Sequence, residues 1–110
     1  VKSALEAARI EEEARQRRIQ TAMMEHNLLV AGVEIEKRLI DAKFALLKAE
    51  MAKDGTSDEE QAVIDATKEV IDQQKSNLDQ QIKNSKTNLG LIKQQVDLDR
   101  SLAVIITGSH

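Results

Sequence analysis

The sequence predicts an all-α protein: a long antiparallel helical hairpin, coiled-coil-like, assembled into a multi-helix bundle. Three observations carry this. None of the 110 residues is Pro and only four are Gly, where ordinary usage would supply roughly five or six prolines. Proline is the strongest helix breaker, so its absence is what very long helices require. Apolar residues recur at helical spacing on both sides of a single interruption at residues 53–60. Phe44 is the only aromatic residue, so the core must come from Leu, Ile, Val, Met and Ala, which suit closely approaching helices, and not from the large rings of a globular core.

The chain has the size of one domain, spanning residues 1–107: a first helix over about 2–53, a turn at 54–57 and a second helix over about 58–103. Each helix would be about 70–75 Å long at 1.5 Å per residue. Glu11 with Arg15, Glu13 with Arg17, Glu34 with Arg38 and Asp79 with Lys83 stand four apart, the spacing at which opposite charges meet on a helix surface. At the interruption, Gly55 can take the left-handed conformation that closes a helix. Ser57 and Glu60 then form the S-x-x-E capping box of the next one, with Asp58 and Glu59 at its positive end. Stop and start signals placed back to back make the two helices antiparallel neighbours.

A turn centred between Gly55 and Thr56 fixes the register by reflection through that point. Ile40 then meets Ile71, Val33 meets Leu78, Ala22 meets Leu89, Ile19 meets Ile92 and Leu5 meets Ile106. Two polar layers also coincide, His26 with Ser85 and Lys37 with Gln74. Toward the open end the match weakens: Glu12 would oppose Asp99, Arg15 would oppose Val96, and the register should drift or fray. Residues 72–88 form a polar stretch anchored by Leu78 and Ile82, followed by Gly90, which costs about 1 kcal/mol relative to Ala inside a helix. Residues 102–106 are rich in β-branched side chains and are expected to leave the helix.

A hairpin needs one apolar stripe per helix, and this chain has two. Leu28, Gly32, Ile35, Leu39, Ala42, Leu46 and Ala49 recur on the side of the first helix away from the seam. On the second helix Val63, Val70, Asn77, Asn84, Leu91, Leu98 and Ile105 recur every seven residues. In a monomer such stripes would face water as an unusually large apolar patch. The expectation is an oligomer interface through Leu28, Gly32, Ile35, Leu39, Ala42 and Leu46, with two-fold symmetry the commonest arrangement. Asp54, Gly55 and Thr56 at the tip are a candidate contact for another protein, since loops on rigid scaffolds often bind.

Chemistry is sparse. No cysteine is present, which excludes disulfides, thiol nucleophiles and zinc–thiolate sites. His26 lacks the Glu-x-x-His spacing of bundle metal sites, with Met23 three residues before it; a polar layer that fixes register is the plainer reading. Glu11, Glu12 and Glu13 beside Arg15, Arg17 and Arg18 read as a solvated face, because paired-carboxylate catalysis needs a sheltered cleft. Met23 and Met24 read as seam filler. The serines lack a nucleophile elbow and no Gly-rich loop precedes a helix, so no catalytic, metal or cofactor residue is assigned and enzyme activity is not expected. A net charge of −3 with interspersed signs disfavours nucleic acid, and no apolar run reaches the 18 residues of a membrane span. Val1 in place of Met reads as a processed chain or a fragment, and residues 108–110 as the start of an appended tag. The function expected is therefore a structural, protein-interaction module: a self-associating hairpin that binds itself and another protein as a scaffold, rod or secretion and assembly component. The alternative from another class is a small hairpin regulator of nucleic acid.

Overall fold

A computed structural model describes residues 2–53 and 55–108, with the backbone alone for Lys2, Thr107 and Gly108. Two helices of 51 residues each, α1 (Lys2–Ala52) and α2 (Asp58–Gly108), pack as a hairpin, and no strand occurs among the described residues.

The turn is built by the residues expected to build it. Gly55 takes a φ of 81°, where an L side chain would be strained, and its N–H donates to the Ala52 carbonyl at 3.3 Å. The capping box is complete in both directions. The Glu60 N–H donates to Ser57 Oγ at 3.1 Å, and the Ser57 N–H donates to Glu60 Oε1 at 3.2 Å. The Ser57 carbonyl accepts the first bond of α2, from the Gln61 N–H at 2.9 Å. Asp58, Glu59 and Glu60 fill the first turn, where the helix dipole favours anions.

At its far end α2 corrects one expectation. The helix runs to Gly108 and does not stop near residue 103, so the β-branched run stays helical. The propensity cost of such residues is at most about 0.7 kcal/mol each, too little to end a helix that is already propagating. Gly90 likewise sits inside the unbroken helix.

Contacts group the described residues into two units, one formed by Leu29–Lys83 and one by the residues up to Leu28 with those from Asn84 onward. In the Leu29–Lys83 unit, Val33 and Leu78 are buried and Ile40, Phe44, Leu47, Ile64 and Ile71 are half-buried. The inner positions do not keep a strict seven-residue repeat. α1 takes two successive steps of four at Leu29, Val33 and Lys37, and α2 does the same at Thr67, Ile71 and Lys75. Such an insertion locally unwinds a coiled coil, and here the two insertions lie opposite each other. This changes the expected Lys37 and Gln74 layer: Gln74 is exposed, and Lys75 takes the half-buried place.

The two lysines resolve the polar layer by crossing. Lys37 pairs with Asp79 on α2, and Lys75 pairs with Asp41 on α1. Helical side chains lean toward their own N-terminus, so in antiparallel helices the two ammonium groups lean in opposite directions. Each therefore meets a carboxylate one turn away from the shared layer. Asp79, expected beside Lys83, turns to Lys37 instead.

In the other unit Ala22 and Val96 are buried, Val96 completely. His26 Nδ1 and Ser85 Oγ share a hydrogen bond of 2.8 Å, its direction set by the imidazole tautomer. These two residues are the polar layer that the register pairs. The expected acidic clash of Glu12 with Asp99 does not form. Glu12 accepts from Arg100 Nε at 2.9 Å and from Arg15 at 3.0 Å, while Asp99 accepts from Arg18 at 3.0 Å. A shift of one residue along α2 is enough to exchange a carboxylate for a guanidinium. Leu5 and Ile106, expected to face each other as the outermost layer, are both exposed.

Candidate interaction surface

The apolar side chains left outside the seam are the feature that calls for a function. In the Leu29–Lys83 unit, Ile35 is 57%, Leu39 53% and Leu46 70% exposed, with Gly32 and Ala42 exposed between them. They repeat at steps of three and four, so α1 carries them on one side while Val33, Lys37, Ile40 and Phe44 turn inward. Val63 and Val70 of α2 are exposed in the same unit. Leu28, the residue that begins this series in the sequence, lies in the other unit and is 70% exposed. Glu36 and Lys43 lie along one flank of the stripe and Glu34 and Arg38 along the other, all exposed.

Beside the stripe, the same unit holds a groove of about 720 Å³ between the helices. Leu39, Ile40, Phe44, Leu47, Ile71 and Leu78 supply its apolar lining, with Glu36, Lys43, Gln74 and Asn77 among its polar groups. The register explains the opening: Phe44 faces Thr67, a side chain too small to fill the layer. Lys48 Nζ stands 4.7 Å from the Phe44 ring centroid, within cation–π range. Sequence patterning alone misses this groove, although the unequal Phe44 and Thr67 pair was its available signal.

The tip is less informative. Gly55 and Thr56 are exposed, and Asp54 lies outside the described residues.

Ion pairs run both across the seam and along each helix. Hydrogen bonding from Arg100 holds the Glu12 carboxyl below the ordinary carboxylate range, with burial opposing and Arg15 adding to the effect. The same bond raises Arg100. Hydrogen bonding to Asp79 raises Lys37. Arg15, with a side chain only 13% exposed, meets Glu11 and Glu12, Arg17 meets Glu13, and Arg18 meets Asp99. Each of these guanidinium groups stands beside a carboxylate. Among the described residues no group of three or more His, Cys, Asp or Glu side chains is placed to hold a metal ion. No helix among them is long and apolar enough to cross a membrane.

Fold and surface together define a class: an all-α helical hairpin that leaves a second apolar face uncovered. No protein-family model matches the chain, and no curated protein or solved structure matches it either.

Proposed function

We propose that this chain is a structural, protein-interaction module, a helical hairpin that self-associates through its outer apolar stripe and serves as a scaffold or assembly component. The observation that carries this reading is the exposure of Ile35, Leu39 and Leu46 on one side of α1. Burying a Leu or Ile side chain is worth about 1.5–3 kcal/mol, so three such side chains on each copy favour association strongly. Monomeric soluble proteins seldom leave contiguous apolar faces of this kind in water. On α2, Val63 and Val70 offer further apolar surface to a multi-helix bundle.

Sedimentation equilibrium over a wide concentration range tests the proposal, with detection by interference because Trp and Tyr are absent. The expected result is a mass of at least two chains. Leu39→Glu, which places a charge at the centre of the stripe, should lower that mass. A mass that remains that of one 12.3 kDa chain at high concentration overturns the reading.

A further inference from the structure

We infer that the occupant of the α1 stripe is the same stripe of a second copy, lying antiparallel to it about a two-fold axis level with Lys37. This rests on the self-association reading above and specifies its geometry. The stripe has the same order in both directions from Lys37. Two residues away on either side stand Ile35 and Leu39, five away stand Gly32 and Ala42, and nine away in the sequence stand Leu28 and Leu46. Large, small and large therefore repeat on each side. An axis perpendicular to the helix sets Ile35 level with the partner's Leu39, and Gly32 level with the partner's Ala42. A parallel pair would match any stripe to itself, whatever its order. Only an antiparallel pair needs an order that reads the same both ways.

Gly32 supports a helix arriving from outside. Glycine is unfavourable inside a helix, and no packing in the hairpin requires it there, because a Cβ at Gly32 would meet nothing beyond its own turn of backbone within 4 Å. Close approach of another backbone is a recurrent reason for such a glycine, and its mirror position holds Ala42, the next smallest side chain. The flanking charges fit as well. In an antiparallel pair the same flank of each helix meets its copy, and the flank of Glu36 and Lys43 carries an acid and a base. Lys43 leans toward its own N-terminus, which carries its ammonium toward the level of the partner's Glu36. Isologous contact of this kind closes the assembly at two copies.

The chain has no cysteine, so single introduced thiols report the arrangement. Ala31→Cys and Ala42→Cys, both at exposed positions of the Leu29–Lys83 unit, are purified separately, unfolded and refolded together, and treated with a thiol cross-linker spanning about 8 Å. Eleven residues of helix separate the two sites by about 16 Å. The antiparallel pair predicts an Ala31→Cys to Ala42→Cys product in the mixture and little product from either variant alone. Efficient self-cross-linking of Ala42→Cys alone, or a dimeric mass with no mixed product, overturns the arrangement while leaving self-association standing. A single-chain mass in sedimentation of the untreated protein overturns both.

Discussion

Leu78 and Val33 hold the Leu29–Lys83 unit by burial, and they set the measure against which its surface residues are judged. Leu78→Ala removes a buried side chain from the seam and should cost about 2–5 kcal/mol. Gln81→Ala, at an exposed position, should stay within about ±0.5 kcal/mol. Urea midpoints for the two variants check this contrast, and equal losses would count against the seam. Glu12 and Lys37 predict the pH response. The Glu12 value is lowered in the folded chain, so its contribution is present above the unfolded carboxylate value of about 4.3 and is lost as pH falls through the lower folded value. The Lys37 value is raised, so its contribution is present below about 10.4 and is lost as pH rises through the higher folded value. Both contributions are therefore intact between these limits. Denaturation of Glu12→Gln beside the unaltered chain should give a gap at neutral pH that closes in acid and narrows with salt.

At the scale of elements, the turn and the helix start are the most local features and the best specified. Ser57→Ala removes the acceptor for the Glu60 N–H and should cost about 1 kcal/mol. Gly55→Ala forces an L side chain into positive φ and should cost about 1–2 kcal/mol. Thermal denaturation followed by helical circular dichroism reads both, and a neutral Gly55→Ala would mean that the turn adopts another conformation. The opposed insertions at Lys37 and Lys75 show a different kind of element-level fit. Each helix carries a lysine at an inner position of this unit, and only in the antiparallel pair do their opposite leanings bring Asp79 and Asp41 within reach.

For the whole molecule, the proposed self-association makes stability depend on concentration. A partner that binds only the folded chain raises its melting temperature by mass action. The Tm of the unaltered protein should therefore climb with protein concentration, whereas that of Leu39→Glu should be lower and flat. A Tm independent of concentration in both would deny the stripe a role in assembly.

Helicity, the position of the turn and the capping box were legible in the sequence because each depends on local chemistry: no proline, Gly55 followed by Ser57, and Glu60 three residues further on. The outer stripe was legible too, since helical periodicity alone assigns residues to faces. So was the His26 and Ser85 pair, which follows from reflection through the turn. Side-chain reach was not legible. Reflection placed Glu12 opposite Asp99 and Lys37 opposite Gln74, whereas the folded chain joins Glu12 to Arg100 and Lys37 to Asp79. Long charged side chains choose partners over a full helical turn, and a residue-level register cannot rank those choices. The groove beside Phe44 and the continuation of α2 to Gly108 were likewise settled by the tertiary structure. The first depends on how two unequal side chains fill one layer. The second depends on a propagating helix outweighing the weak local preferences of its β-branched residues.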